Sequence, residues 1–115
     1  MELHPVYRIS IYIPPDSLED VIAAAEQETP LRLGPYEAVA HWSAAGTERF
    51  RPLLAADPTV GEPGVETRVP TILLELAVPR DAGLLRRVLD RLVAVHPWEE
   101  PAIFVDECTT TASPG

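Results

Sequence analysis

The sequence predicts one α+β domain with a ferredoxin-like βαββαβ order, in which a four-stranded antiparallel sheet carries both helices on one face. Four segments rich in apolar residues have the alternation typical of strands. Two other segments repeat apolar residues at helical spacing, and the order of all six makes two strand–helix–strand units. A chain of 115 residues has room for one hydrophobic core. We therefore expect a single domain, 1–115, with its core over about residues 6–107.

The first strand and the first helix are separated by two prolines. Residues 6–13 alternate in a way that is typical of a half-buried strand. Asp16 is then expected to cap the helix, with Glu19 at the capping-box position three residues later. Apolar residues follow at the spacing of one helical stripe: Leu18, Val21, Ile22 and Ala25. The Thr29-Pro30 pair ends this helix.

The second and third strands are joined by a long segment. Residues 36–45 read as a second strand, which ends at Gly46. Residues 46–64 contain three glycines and three prolines and show little periodicity, so we expect a long loop there. The third strand, residues 65–78, places four apolar residues on one face: Ile72, Leu74, Leu76 and Val78. A loop of this length in a small domain is typical of a functional segment.

The second helix follows Pro79-Arg80-Asp81 and carries a regular apolar stripe. This stripe consists of Leu84, Leu85, Val88, Leu89 and Leu92. Residues 102–108 read as the last strand, and residues 109–115 as a polar tail that we expect to be flexible. With both helices on one face, the other face of the sheet stays uncovered and carries apolar residues such as Leu73. Such a surface predicts self-association.

Composition argues against several classes of function. The net charge is −9, and all nine basic residues are arginines without a basic stripe, so nucleic-acid binding is disfavoured. No apolar run approaches the ~20 residues of a membrane span, and the first residues lack the pattern of a signal peptide. We therefore expect a cytoplasmic protein with neither nucleic-acid nor membrane partners. The single cysteine, Cys108, excludes an internal disulfide.

A His-Pro-Trp-Glu-Glu-Pro segment follows the second helix and concentrates reactive side chains between two prolines. One interpretation is a divalent-metal site in which His96 joins Glu99 or Glu100, with His41 as a further ligand. The other is a stiff connection, in which an imidazolium at His96 meets the negative end of the helix dipole and Trp98 anchors the turn. The pattern favours the stiff connection, because adjacent glutamates in an extended segment point to opposite sides.

A second candidate site lies in the predicted long loop, around Phe50. Arg49 and Arg51 alternate and would share one side of an extended segment, where they could clamp a carboxylate, a phosphate or a nucleotide. Acidic neighbours such as Glu66 offer these arginines simple charge neutralisation instead. The chain has no phosphate-binding glycine loop, no nucleophile elbow, no Ser-His-Asp spacing and no HExxH motif. The sequence therefore favours a non-catalytic protein.

Three motifs together resemble the YqfO-type domain, the module inserted in many bacterial Nif-three-like proteins and also found alone. The first is Gly-Pro-Tyr-Glu at 34–37, similar to the family's Gly-x-Tyr. The second is Gly-Thr-Glu-Arg-Phe-Arg-Pro at 46–52, followed by Asp-Pro-Thr-Val-Gly at 57–61, where the family usually has Asn for the Asp. The third is His-Pro-Trp-Glu-Glu-Pro-Ala at 96–102, with Trp98 where the family usually has Tyr.

The resemblance implies a ferredoxin-like domain related in shape to CutA and to PII signal proteins, which assemble as trimers. It implies no settled activity. The dinuclear metal ligands of Nif-three-like proteins lie in a flanking domain, so the resemblance assigns them to no residue of this sequence. The leading hypothesis is a small, non-catalytic, homo-oligomeric and trimeric binding or regulatory module. A CutA-like divalent-metal protein and a binder of anions or nucleotides are the alternatives. The candidate ligand-binding residues are Arg49, Phe50, Arg51, His96, Trp98, Glu99 and Glu100, and the candidate metal ligands are His96, Glu99, Glu100 and His41.

Overall fold

The computed structural model describes residues 1–115 as five strands and two helices. The strands are β1 (His4–Ile13), β2 (His41–Trp42), β3 (Gly46–Phe50), β4 (Thr67–Pro79) and β5 (Ile103–Thr110). The helices are α1 (Leu18–Glu26), which follows a 3-10 turn at Pro15–Ser17, and α2 (Ala82–Val95). The predicted α+β class with two helices and an antiparallel sheet is confirmed. Neither helix has the length and apolar character that crossing a bilayer requires.

The sheet has five strands, so the prediction of four is wrong. Their order is β2–β4–β1–β5, with β3 also paired to β4, and every pairing is antiparallel. β4 is 13 residues long. Its stretch from Ile72 to Pro79 pairs with β1, while Thr67 to Thr71 extends beyond β1 and pairs with β3. A single long strand thus supports an additional partner outside the four-stranded core.

The hydrophobic core lies between the sheet and the two helices. Alternate residues of the two central strands are buried on this side: Ile9, Ile11, Ile13, Ile72, Leu74, Leu76 and Val78. The helices contribute buried residues to the same cluster, namely Val21 and Ala25 from α1 and Val88 and Leu92 from α2. The apolar stripes of the sequence are therefore the surfaces that fold against each other.

The two helices begin differently. The Asp81 carboxylate accepts hydrogen bonds from two backbone N–H groups of the first turn, at 2.9 and 3.1 Å, and so caps α2. Asp16, predicted to cap α1, instead lies in the 3-10 turn, and Ser17 occupies the cap position without a side-chain hydrogen bond. The Ser17 N–H is used by the turn itself, because it bonds the Pro14 carbonyl. The helix consequently begins one residue later than the capping-box pattern predicts.

The second strand is much shorter than the predicted 36–45. Only His41–Trp42 pairs with β4. Upstream, Leu31 and Ala38 adopt left-handed backbone angles, with φ of 54° and 57°, and the Ala38 N–H bonds back to the Pro30 carbonyl. Because backbone groups of this stretch form hydrogen bonds within a local turn, they are not free to pair with a neighbouring strand.

The segment 46–64, predicted to be a loop, begins with β3. Charged residues interrupt any apolar alternation over Gly46–Phe50, so hydrophobic periodicity does not reveal this strand. Backbone pairing with the first part of β4 forms it instead. The resulting β3–β4 hairpin extends the molecule, which measures 51 × 28 × 22 Å.

The last strand also runs further than predicted. β5 ends at Thr110 rather than at Cys108, and its last residues pair with the start of β1. Beyond β5, the Gly34 N–H donates to the Ser113 carbonyl at 2.7 Å. The flexibility of residues 109–115 stays a prediction.

Candidate functional site

The His-Pro-Trp-Glu-Glu-Pro segment begins where α2 ends. His96 is the C-terminal cap of α2 and has extended backbone angles, with φ −65° and ψ 133°, while its N–H still bonds the Leu92 carbonyl. Pro97 lacks the N–H that a further helical turn needs. The chain therefore turns out of α2 at one defined residue, and the segment runs toward the end of β1.

His96 is buried, with 6% of its surface exposed, and both ring nitrogens are used. Nε2 lies 2.9 Å from the Tyr12 carbonyl, and the Trp98 backbone N–H donates to Nδ1 at 3.1 Å. A donor at Nδ1 requires a lone pair there, so the ring is the neutral tautomer with its proton on Nε2. These contacts favour the stiff connection, since the ring joins α2 to β1 through two hydrogen bonds.

Trp98 is half-buried and connects the segment to the β3–β4 hairpin. Its ring centroid lies 5.3 Å from that of His96 and 6.3 Å from that of Phe50, both in tilted arrangements. These distances fall within the range of favourable aromatic contacts. Trp98 thus stands between the histidine at the end of α2 and the last residue of β3.

Glu99 anchors the chain that follows β3. Both of its carboxylate oxygens accept the Asp57 backbone N–H, at 3.0 and 3.1 Å. Nearby, the Thr59 hydroxyl donates to the Pro97 carbonyl at 3.0 Å. Two segments about forty residues apart in sequence are held together by these contacts.

A cavity of about 380 Å³ lies where these two segments meet. We call it the hairpin cavity; its walls include Glu48, Phe50, Arg51, Trp98, Glu99 and Glu100. Five of the seven predicted ligand-binding residues line it, while Arg49 and His96 do not. The two sequence motifs singled out separately therefore form one site.

Glu48 is the charged residue of the cavity that sequence reasoning did not name as a site residue. It shares a face of β3 with Phe50, two residues later, and that spacing is the signal that could have identified it. Its Oε1 atom is shielded from solvent and has no hydrogen-bond partner. Burial raises the pKa of the Glu48 carboxyl above its ordinary value of 4.5, and His96, when charged, opposes that rise.

Arg49 and Arg51 do not form the predicted clamp. Arg49 lies opposite Arg68 in the β3–β4 pairing, and its Nη1 is 3.7 Å from a Glu66 oxygen. Arg68 contacts the same carboxylate at 3.2 Å. Strand alternation places Arg49 on the face away from the hairpin cavity, whereas Arg51 follows the end of β3 and lines it. Arg49 thus serves the charge neutralisation that was the simpler expectation.

The four predicted metal ligands are not brought together. No group of three or more His, Cys, Asp or Glu side chains has the proximity to hold a metal ion. His41 lies on β2 opposite Glu75, both nitrogens of His96 are hydrogen-bonded, and Glu99 is occupied by an amide. The four residues therefore form no metal site within one chain.

Replacing Glu99 by glutamine is expected to lower the free energy of unfolding by about 1 kcal/mol, because an amide has one acceptor oxygen and no charge to offer the Asp57 N–H. Urea denaturation and limited proteolysis of residues 51–66 measure the effect. Glu100→Gln is the matched control, since Glu100 makes no hydrogen bond or ion pair and its replacement should change stability by less than about 0.5 kcal/mol. Equal behaviour of the two variants would contradict the anchoring role.

Comparison with known proteins agrees with the motifs. No family model matches the chain. The GTP cyclohydrolase 1 type 2 homolog of Listeria monocytogenes is 31% identical over 101 residues, which make up 88% of this chain and 26% of that protein. A solved structure of a Bacillus cereus protein related to NIF3 superposes with a TM-score of 0.74 at 24% identity, over 99% of this chain and 28% of that one. The divalent ion tolerance protein CutA1 from Ehrlichia chaffeensis superposes with a TM-score of 0.65 at 14% identity, over 92% of this chain and 83% of that one.

The chain spans about a quarter of the curated relative that it matches, and in the NIF3-related structure it again corresponds to one part of a longer protein. The likeness to CutA1 covers most of both chains and shows the shared fold. The sequence identity to the first relative and the fold shared with the other two agree with the resemblance that the three motifs indicate. The chain is therefore similar to one part of NIF3-related proteins, in agreement with the resemblance to the YqfO-type domain, and it has a CutA-like shape.

Proposed function

We propose that the chain is a small, non-catalytic, homo-oligomeric module that binds a small ligand in the hairpin cavity. The observation that supports it best is the junction itself, where β3 with its following loop meets the segment after α2 around a volume of about 380 Å³. That volume is in the range of small-molecule sites. The aromatic pair Phe50–Trp98 supplies apolar surface, and Arg51 and Glu48 supply charge. Binding without catalysis is the simplest use of such a lining.

The uncovered face of the sheet supports self-association. Strand pairing aligns Tyr12 with Leu73 and places Phe104 beside them on this face. Phe104 is 59% exposed, and the centroid of its ring lies 6.4 Å from that of Tyr12 in an edge-on arrangement. The radius of gyration is 15.5 Å, against roughly 13 Å for a compact chain of this length. The extended hairpin and the uncovered sheet face, where Tyr12, Leu73 and Phe104 lie together, are both surfaces that a second copy of the chain can cover.

A trimer is the assembly that the CutA-like shape favours. Light scattering coupled to size exclusion is expected to give three times the 12.6 kDa chain mass at micromolar concentration. Phe104→Glu should shift the protein toward monomer, because it places a charge beside Tyr12 and removes an exposed aromatic ring. Val93→Glu is the matched control, since Val93 is a comparably exposed residue of α2, at 52%. A wild-type mass of one chain would contradict the assembly.

The divalent-metal alternative has narrower support. Divalent ion tolerance is stated of CutA1, whose likeness to this chain at 14% identity concerns the fold. The residues of one chain do not gather as ligands, so a metal would need donors from different subunits. Binding of an anion or a nucleotide between Arg49 and Arg51 loses its geometric basis because the two side chains diverge. The hairpin cavity is the better candidate.

A further inference from the structure

The lining of the hairpin cavity has an excess of negative charge with unused hydrogen-bonding capacity. Glu48, Glu99 and Glu100 contribute carboxylates, and Arg51 contributes the only guanidinium. Glu99 is already neutralised in part by the Asp57 N–H. Glu48 and Glu100 have no partner, and Arg51 takes part in none of the ion pairs of the chain. The cavity thus offers acceptors for a cation beside a single free donor.

Among the carboxylates of the cavity, Glu48 is the one with a buried oxygen that lacks a hydrogen-bond donor. Its Oε1 atom is shielded from water without accepting any hydrogen bond, and an acceptor in that condition costs free energy until a donor arrives. The raised pKa of this carboxyl has the same physical origin, since burial disfavours the charged form. A cation in the cavity close to this carboxylate would stabilise its charged form.

The aromatic side chains next to Glu48 suit a cation that carries an apolar body. Phe50 follows it on the same face of β3, and the Trp98 ring lies 6.3 Å from that of Phe50. The faces of such rings attract ammonium groups and also remove apolar surface from water. Arg51, on the same lining, can hold a carboxylate if the ligand has one.

On the basis of the proposed binding function, we infer that the hairpin cavity takes an organic ammonium group attached to an apolar body. Glu48 accepts the ammonium N–H, and Phe50 and Trp98 contact the body. A free amine and an amino acid share this chemistry. They differ at Arg51, because only the amino acid has a carboxylate for the guanidinium to bind.

Isothermal titration calorimetry with four probes of similar shape tests the inference. Phenethylamine is a cation, phenylalanine a zwitterion, 2-phenylethanol neutral and 3-phenylpropionate an anion. We expect phenethylamine or phenylalanine to bind at least tenfold more tightly than the alcohol and the propionate. Arg51→Gln should weaken phenylalanine and should not weaken phenethylamine, since loss of a positive charge only removes repulsion of the amine, and this difference separates the two ligand sources.

Glu48→Gln keeps the shape of the side chain and removes its charge, and it should weaken the ammonium probes at least tenfold. Glu107→Gln is the control, because it makes the same charge change on exposed β5. Ammonium affinity should also fall as the pH is lowered through the raised pKa of Glu48, since only the ionised carboxylate attracts a cation. In the Glu48→Gln variant that pH dependence should be weaker, with only Glu99 and Glu100 left as lining carboxylates.

The outcomes separate this inference from the binding function on which it rests. Equal affinity for all four probes, or tighter binding of the alcohol or the propionate, overturns the ammonium class while the cavity keeps its binding role. Ammonium binding that Glu48→Gln leaves unchanged overturns the role of Glu48. Absence of binding by any probe to a folded protein, verified by circular dichroism, contradicts both.

Discussion

Replacing His96 by alanine is expected to lower the free energy of unfolding by about 3 kcal/mol. The substitution removes a buried ring and leaves the Tyr12 carbonyl and the Trp98 N–H without their partners. Each abandoned polar group costs about 1–3 kcal/mol, and the space left by the ring adds to that. Because His96 joins α2 to β1 just before the cavity-forming segment, ligand binding should weaken as well. Urea denaturation and calorimetry measure the two effects.

His41 provides the matched control for this variant. It is an exposed histidine on β2, so His41→Ala should change stability by less than about 0.5 kcal/mol. A ¹⁵N NMR spectrum of the imidazole rings adds an independent check, since His96 should show the neutral tautomer with the proton on Nε2. Equal stability changes in the two variants, or a proton on Nδ1 of His96, would contradict the linking role of this ring.

Replacing Trp98 by alanine is the second large effect that we expect. The side chain is half-buried between the rings of His96 and Phe50. A fully buried tryptophan costs about 3–5 kcal/mol on truncation, so partial burial predicts about 2 kcal/mol here. The same change removes a wall of the hairpin cavity, and we expect at least a tenfold loss of affinity for any ligand that binds there.

Trp42→Ala is the control for this variant, because Trp42 is the other of the two tryptophans in the chain. Trp42 lies on β2 with 46% of its surface exposed and does not line the cavity. Trp42→Ala should therefore leave ligand affinity unchanged, and Trp98→Tyr should retain most of both stability and affinity because it keeps an aromatic ring. If Trp42→Ala affected binding as strongly as Trp98→Ala, the site would have to lie elsewhere.

Prediction of the fold from sequence succeeds where burial produces a periodic pattern. β1, the second part of β4 and both helices present one apolar face to one core, so their spacing is legible in the chain. Neither β3 nor the shortness of the second strand can be recognised from such spacing. β3 is held by backbone pairing with the overhanging part of β4, and Ala38 adopts a left-handed angle in a stretch that otherwise reads as a strand.

The sequence predicted several residues of the candidate site but not the contacts that each of them makes. Phe50, Arg51, Trp98, Glu99 and Glu100 line one cavity as a group. The role of Glu99 as the acceptor of an amide 42 residues away has no local signature. Glu48 was not predicted, because a single glutamate in a charged segment is typical of an exposed position. Its shielding from water depends on neighbours that come from a different part of the chain.

Local patterns in the chain were thus sufficient for the α+β class, for the position of both helices and for the family motifs. Folding alone decided that the segment after β3 and the segment after α2 face each other across one cavity. The physical reason is that an apolar stripe is a property of neighbouring residues, whereas a hydrogen bond such as that of His96 to Tyr12 requires two distant backbone positions to be fixed first. The motif at His96 accordingly joins α2 to β1 through two hydrogen bonds of the imidazole ring, a contact that no local pattern shows.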